Sequence, residues 1–308
     1  MNMTLTMTLT IGTRTSQLAL WQTNYVAERL QTTWPDLKCR HQPFITRGDK
    51  TLHTPLPQIG GKGLFTAELE QALLDGQIDL AVHSLKDLPV DNPPGLIIGA
   101  IPQRAAVQDA LVSAAGWTLE TLPQGAVVGT SSIRRQAQLL AVRPDLEIRS
   151  IRGNVDTRIR KAHTGEYDAV VLAAAGLARL GLEQAISQLL PLNVMLPAPG
   201  QGALAVQCRA DDQATRWRLA AIHEPDAFAA VTAERAFLAA LGGGCAAPVA
   251  AYATIMNGRI HLRGMVGAVD GGRIIRVAAQ GEEAAVLGQV LARQALAAGA
   301  KEILANVG

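Results

Sequence analysis

The chain has 308 residues, of which 48% are hydrophobic and 4% aromatic, and its formal net charge is +2 at pH 7. This length suits two or three domains, because a single core seldom grows beyond about 250–300 residues. The low aromatic content argues against a surface that stacks nucleic-acid bases, and the near-neutral charge offers little general attraction for a polyanion.

Strand-like and helix-like patterns alternate through most of the chain, which is typical of an α/β fold. Thr alternating with apolar residues near the N-terminus predicts an opening strand, and Ser16 is the predicted N-cap of a helix over 16–34. Strands over 37–46 and 78–84 and a helix over 64–76, closed by a glycine, complete this first run.

A second run of alternating elements begins near residue 108. Its predicted strands cover 126–130, 146–151 and the start of 167–176, and its predicted helices cover 131–143 and 154–165. Three prolines and two glycines then interrupt the pattern over 190–202. The strand predicted over 203–209 could return to the first sheet.

The character changes near residue 225, where a long helix precedes a glycine-rich loop, three strands and a final helix. The strands are predicted over 248–254, 259–266 and 273–279, and the helix over 283–299. We therefore expect two α/β lobes and a smaller C-terminal α+β domain. Their predicted extents are 1–102 with 203–220, 108–196, and 225–308.

Polar clusters follow four of the predicted strands. They are TRTSQ with Arg14 and Ser16, HSLKDLP with Lys86 and Asp87, GTSSIRRQ with Thr130, Ser132, Arg134 and Arg135, and RGNVDTR with Arg152 and Arg158. Each cluster alone has an ordinary explanation as a helix cap, a surface ion pair or a solvated helix face. Arginines in the first turn of a helix are unfavourable to its dipole unless an anion binds there. Because ligands bind at the carboxyl ends of strands in such folds, the coincidence predicts a cleft for a ligand with several carboxylates or phosphates.

The segment PLPQIGGKGLF, with Lys62, precedes a helix but lacks the GxxxxGK[ST] spacing of a nucleotide-binding loop. It is either a mobile basic loop over the cleft or a plain connection.

The three cysteines, Cys39, Cys208 and Cys245, are widely separated and form no CxxC pair. This excludes a disulfide framework and a zinc site, and it fits a reducing compartment. The chain has no run of about 18 apolar residues and no basic leader before an apolar stretch. We expect a cytoplasmic protein without a metal site, bound neither to a membrane nor to nucleic acid.

Ten motifs occur in one order along the chain: TRTSQLALWQ, TRGDK, GGKGLFTAELE, AVHSLKDLP, VVGTSSIRRQAQL, IRSIRGNVDTR, YDAVVLAAAGLARLGL, LPAPGQGALAVQCR, TAERAFL and LGGGCAAP. Together they resemble the porphobilinogen deaminase (hydroxymethylbilane synthase) family over about residues 11–250. The resemblance implies lobes like those of periplasmic binding proteins and an enzyme of haem and tetrapyrrole biosynthesis. It also implies that four porphobilinogen molecules are condensed head to tail into hydroxymethylbilane, with release of four ammonia molecules, by a monomer.

The resemblance further implies a dipyrromethane cofactor held through a thioether to Cys245, on a glycine loop that lets the growing pyrrole chain move. It makes Asp87 the catalytic carboxylate. The residues implied to contact the cofactor are Ser84, Lys86, Asp87, Thr130, Ser132, Arg134, Arg135 and Arg158. The residues implied to bind the substrate are Arg14, Ser16, Arg152, Arg158 and Arg179, and those of a lid loop are Lys62 and Phe65.

The chain departs from the family pattern in three places: Gln58 in the glycine-rich segment, RAAVQDA over 104–110, and Ala246 after the cysteine. None of these changes Asp87 or the arginine pairs. Two other functions compete with the enzyme. A non-catalytic polycarboxylate-binding protein would leave Cys245 without a role, and a nucleic-acid-binding protein using the arginines of 134–161 conflicts with the composition.

Overall fold

The computed structural model describes residues 8–50, 63–244 and 247–306. The described residues fall into two compact units. Of the described residues, unit 1 contains 8–50, 63–104 and 203–228, and unit 2 contains 105–202, 229–244 and 247–306. Among the described helices, none combines the length and the apolar character needed to cross a membrane.

The strands in chain order are β1 Thr8–Arg14, β2 Lys38–Phe44, β3 Leu80–Ser84, β4 Leu96–Ala100, β5 Asp109–Val112, β6 Val127–Gly129, β7 Glu147–Arg149, β8 Ala169–Ala173, β9 Gln188–Leu189, β10 Leu204–Arg209, β11 Val249–Met256, β12 Arg259–Gly267 and β13 Ile274–Gly281.

The α-helices are α1 Gln17–Thr33, α2 Arg47–Lys50, α3 Ala67–Leu74, α4 Ile133–Val142, α5 Val155–His163, α6 Ala174–Arg179, α7 Gln213–Leu219, α8 Pro225–Ala240, α9 Ala284–Ala297 and α10 Ala300–Ala305. Short 3₁₀ turns cover Leu85–Asp87, Glu183–Ala185 and Ala220–Ile222.

Unit 1 is built on a five-stranded mixed sheet with the order β2-β1-β3-β10-β4. The first three strands are parallel, and β10 runs antiparallel to both of its neighbours, which confirms that the chain returns to the first sheet. Val26 and Leu30 of α1 are buried in one core cluster of this unit, and Leu69 and Leu73 of α3 are buried in another. Because strand side chains alternate between faces, β3 contributes Leu80 to the first cluster and Ala81 to the second.

Unit 2 contains a second five-stranded sheet with the order β7-β6-β8-β5-β9 and an antiparallel sheet β11-β12-β13. Strands β6, β7 and β8 are parallel. Helix α4 packs on the three-stranded sheet so closely that a Cβ added at Gly267 would lie 3.0 Å from the Cβ of Ala137. Leu196, Ala250 and Met265 form a small buried cluster in the same unit.

The two α/β lobes and the smaller α+β domain expected from the sequence are confirmed by these three sheets. The predicted helix over 16–34 is α1, with Ser16 as its N-cap, and Gly76 follows α3 with a positive φ of 70°. Strands β4, β5 and β9 and helices α2, α7 and α10 were not predicted. The residue limits given above for the three domains stay a prediction.

Candidate active site

In unit 1 two of the predicted clusters lie at one edge of the sheet. Arg14 ends β1 and Ser84 ends β3, and these strands are parallel neighbours, so their carboxyl ends meet. The 3₁₀ turn that follows β3 is anchored by Leu85, which is fully buried and donates its N–H to the carbonyl of Ala203 at 3.1 Å. The turn leaves Asp87 exposed beyond this edge of the sheet.

The hydroxyl of Ser84 is oriented by helix α1. Gln22, which is 3% exposed, donates from Nε2 to Ser84 Oγ at 2.8 Å. A serine hydroxyl has one donor and two acceptor positions, so this bond leaves its O–H to donate elsewhere. Ser16 at the start of the helix instead caps it, accepting the N–H of Ala19 at 3.3 Å.

Arg14 is held by an acid that the sequence interpretation did not assign. Its guanidinium donates from Nε to Asp49 at 3.2 Å and forms a second, close contact through Nη2. It also lies over the ring of Phe65, 4.4 Å from the ring centre. Burial raises the pKa of the Asp49 carboxyl, but the hydrogen bonds from Arg14 and Thr46 outweigh it, so that the pKa lies below its usual value. The structure thus brings together a predicted substrate residue and a predicted lid residue.

Four of the residues singled out in the sequence lie outside the described residues: Gln58, Lys62, Cys245 and Ala246. The stem that leads to the cysteine is described as far as Gly244. Gly242 has a φ of 68°, in the left-handed region, and donates to the carbonyl of Ala239, which closes the end of α8.

In unit 2 the segment after β6 begins α4. Ser132 is the N-cap and accepts the N–H of Arg135 at 3.5 Å, and the buried Thr130 accepts the N–H of Ser132 at 3.2 Å. The neighbouring Ser131 bonds both the N–H and the carbonyl of Ile151. The serines are therefore structural, and Ser132 still has a hydroxyl proton to donate.

Arg134 and Arg135 are both buried and share one carboxylate. Asp109, which is 0% exposed, lies 2.9 Å from Arg134 Nη2 and accepts from Arg135 Nη2 at 2.7 Å. The second guanidinium also donates to the carbonyl of Val171, and the first to that of Leu196, each at 2.7 Å. The sequence predicted that an anion would offset these arginines, and Asp109 supplies an internal one.

The pair nevertheless has an excess of positive charge. Two guanidinium groups face one carboxylate in a buried position, and burial is the largest cause that lowers the pKa of Arg134, with repulsion by Arg135 adding to it. The attraction of Asp109 only partly compensates. An additional anion beside this pair would therefore be stabilised.

The remaining predicted arginines lie after β7 and in α6. Arg152 and Arg158 are half-buried, and Arg158 donates from Nε to the carbonyl of Gly153 at 2.8 Å. Arg179 is buried and donates to the carbonyl of Gly202 at 2.8 Å. Within the described part of the chain, no group of three or more acidic, His or Cys side chains is placed to hold a metal ion.

The acids that orient the arginines were the main residues that sequence reasoning missed. Asp49 belongs to TRGDK, and Asp109 belongs to RAAVQDA. Both segments were singled out in the sequence, one as a motif and one as a departure from the family pattern. Neither segment, however, indicates which arginine its acid contacts.

Two family models match the chain. One, described as "Porphobilinogen deaminase, dipyromethane cofactor binding domain", matches residues 9–217, and the other, "Porphobilinogen deaminase, C-terminal domain", matches residues 228–297.

Curated relatives match nearly the whole chain. A porphobilinogen deaminase from Brevibacillus brevis is 50% identical over 96% of this chain and 96% of its own length. One from Syntrophotalea carbinolica is 52% identical over 96% of this chain and 95% of its own length. Among solved structures, a variant of the OxyR2 regulatory domain from Vibrio vulnificus aligns at a TM-score of 0.42 and 15% identity, covering 72% of this chain and 97% of that one.

Proposed function

The chain belongs to the porphobilinogen deaminase family, and on that premise we propose how its residues form hydroxymethylbilane from four porphobilinogen molecules. The enzyme is a transferase of porphyrin biosynthesis, and each molecule joined releases one ammonia. Its cofactor is dipyrromethane. We further propose that the protein is a cytoplasmic monomer.

The observation that carries the proposal is the buried pair Arg134 and Arg135, which share Asp109 as a carboxylate partner. Dipyrromethane has two pyrrole rings, each with an acetate and a propionate, so it brings four carboxylates. The positive excess at this pair fits such a group. The other proposed contacts of the cofactor carboxylates are Ser84, Lys86, Thr130, Ser132 and Arg158.

Cys245 is the proposed anchor of the cofactor. Its sulfur would bond to the methylene carbon of a porphobilinogen-derived ring, while the C–N bond at that carbon breaks and the amino group leaves with the thiol proton as ammonia. The other two cysteines are poor nucleophiles, which supports this choice. Burial raises the pKa of the Cys39 thiol, and burial followed by repulsion from Asp212 raises that of Cys208 to about 11.

Asp87 is the proposed catalytic carboxylate. When bound, dipyrromethane supplies the terminal pyrrole to which the first substrate ring is joined. Loss of ammonia from porphobilinogen leaves a cationic ring, and a carboxylate that accepts the hydrogen bond of the pyrrole N–H stabilises this charge where it develops. Asp87 suits the task because it is exposed on a turn whose buried Leu85 fixes the backbone.

Arg14, Ser16, Arg152 and Arg179 are proposed to bind the substrate carboxylates, with Arg158 shared between substrate and cofactor. Arg14 is the best oriented of these, because Asp49 and Phe65 fix its guanidinium from two directions. Lys62 and Phe65 are proposed to belong to a loop that covers the bound substrate. Family membership does not favour the alternative of a non-catalytic polycarboxylate-binding protein.

The test is the intact mass of the denatured protein for the wild type, Cys245→Ser and the control Cys39→Ser. We expect the wild type and the control to exceed their sequence masses by two porphobilinogen-derived rings, and Cys245→Ser to have the bare mass. A bare wild type after incubation with porphobilinogen, or a loaded Cys245→Ser protein, would contradict the proposed anchor.

A further inference from the structure

Glu234 is a buried acid on α8 that has no part in the chemistry described above. Its side chain is 0% exposed, and its two carboxylate oxygens accept backbone N–H groups from separate segments. Oε2 accepts from Gly200 at 2.7 Å, and Oε1 accepts from Ala253 at 2.8 Å. Hydrogen bonds to a charged acceptor are strong, and a buried carboxylate requires them.

The hydrogen bond from Ala253 to Glu234 links the two stems of the loop that carries Cys245. Helix α8 ends at residue 240 and β11 begins at residue 249, so Glu234 lies on the preceding element and Ala253 on the following one. Their bond joins the two stems across the loop. A further backbone bond, from Ala251 to the carbonyl of Pro197 at 3.1 Å, ties β11 to the segment that contains Gly200.

The hydrogen bond from Gly200 to Glu234 connects the helix with the segment next to the buried arginines. Gln201 follows Gly200 and donates from Nε2 to Asp109 at 2.9 Å and to the carbonyl of Val107 at 2.7 Å. Asp109 in turn holds Arg134 and Arg135. A continuous path of short hydrogen bonds within unit 2 thus connects the stems of the cysteine loop with the proposed carboxylate site.

We propose that Glu234 is a positioning residue for cofactor attachment. It fixes the two stems of the Cys245 loop relative to Arg134 and Arg135, so that a dipyrromethane whose carboxylates lie at the arginines presents its reactive carbon to the sulfur. This inference rests on the proposed function, in which Cys245 is the anchor.

Glu234→Gln is the variant that tests the contact with the least change in shape. The amide has one oxygen to accept a hydrogen bond, and its NH₂ group faces the second backbone N–H, donor against donor. One of the two segments is therefore released. Phe237→Leu is the matched control, because Phe237 is fully buried one turn further along α8 and packs on Gly264 rather than on the hydrogen-bonded path.

The experiment measures cofactor attachment to the full-length chain. Cofactor-free protein is incubated with porphobilinogen at 25 °C, and intact mass is recorded over time, with thermal unfolding measured for each variant. We expect Glu234→Gln to attach the two rings at least about tenfold more slowly than Phe237→Leu does. The two variants are expected to lose a similar amount of melting temperature relative to the wild type. Once loaded, the variant is expected to turn over at the wild-type rate per bound cofactor.

Three outcomes would overturn the inference. Attachment at the wild-type rate would remove the positioning role, and equal slowing in Phe237→Leu would make Glu234 merely structural. If the wild type itself gains no mass, the anchor fails and the inference fails with it. Should Glu234→Gln not fold, Gln201→Leu interrupts the next contact of the path, and the same slowing is expected there, with attachment at the wild-type rate overturning the inference.

Discussion

Arg14 at the end of β1 and Asp49 at α2 form a two-point ion pair, in which Nε and Nη2 of the guanidinium both contact the carboxylate. Thr46 adds two further hydrogen bonds to the same carboxylate, from its N–H at 3.1 Å and its hydroxyl at 2.8 Å. The acid is therefore held in place independently of the arginine. This arrangement makes Asp49 a positioning residue for the proposed substrate arginine.

Asp49→Asn removes the charge and leaves one oxygen to accept. We expect the KM for porphobilinogen to rise about tenfold and kcat to change much less, because the lost charged hydrogen bond orients a group that binds the substrate. Steady-state kinetics gives both values. Asp145→Asn, which removes the acid of a half-buried pair with Arg143, is the control and should leave KM unchanged. An unchanged KM in Asp49→Asn would contradict the positioning role.

Asp87→Asn is expected to retain the fold and the bound dipyrromethane but to lose at least about 100-fold in kcat, because the neutral amide no longer stabilises the cationic ring. Its melting temperature should stay near that of the wild type, since the side chain is exposed. Asp91→Asn, at another exposed acid shortly after the turn, is the control. Near-normal production of bilane by the Asp87 variant would refute the assigned role.

The sequence predicted most of the elements because their ends have local causes. Ser16 caps α1, and Gly76 adopts a positive φ after α3. Strand β4 has no comparable local signal, since it follows a turn-rich segment and is defined by its pairing with β10, more than one hundred residues later. Pairing at that distance depends on the topology of the sheet and not on a pattern within the strand.

In the candidate site, too, some residues could be predicted from the sequence and others could not. The charged residues after β1, β3, β6 and β7 could be identified from sequence because strand ends are where ligands bind in such sheets. Their partners could not, because Asp49 and Asp109 lie 35 and 26 residues from Arg14 and Arg135 along the chain. Only the packing of helices α2 and α4 in the folded chain brings these acids and arginines together.

Arg134→Leu is expected to impair assembly of the holoenzyme. The substitution removes one guanidinium from the proposed cofactor site and takes one of the two arginines away from the buried Asp109, which stays paired with Arg135. We expect the loaded fraction, measured by intact mass, to fall at least about tenfold, together with a lower melting temperature. Arg149→Leu, in an exposed pair with Glu147, is the control and should load normally. A fully loaded and active Arg134→Leu protein would exclude this site.

We expect His83 to make the stability of the fold depend on pH. The imidazole is buried on β3, and burial is the largest cause that lowers its pKa from 6.5 to about 4; the nearby side chain of Gln207 opposes this shift, and the charge of Arg14 reinforces it. Between pH 6.5 and about 4 the unfolded chain binds a proton that the folded chain does not. The free energy of unfolding must therefore fall as the pH falls through this window, by about 3 kcal/mol when the shift is fully expressed.

His83→Gln is expected to remove this part of the pH dependence. Urea unfolding at pH 7.5, 6, 5 and 4.5 gives the free energy of unfolding at each pH, and the loss on acidification should be smaller in the variant than in the wild type. Val82→Ala is the control, because it removes buried volume from the same strand without removing a titratable group. It should be less stable at every pH but keep the wild-type slope. Since carboxylates titrate in all three proteins, the difference between the two variants isolates the imidazole, and identical slopes would show that His83 is protonated in the folded chain as readily as in the unfolded one.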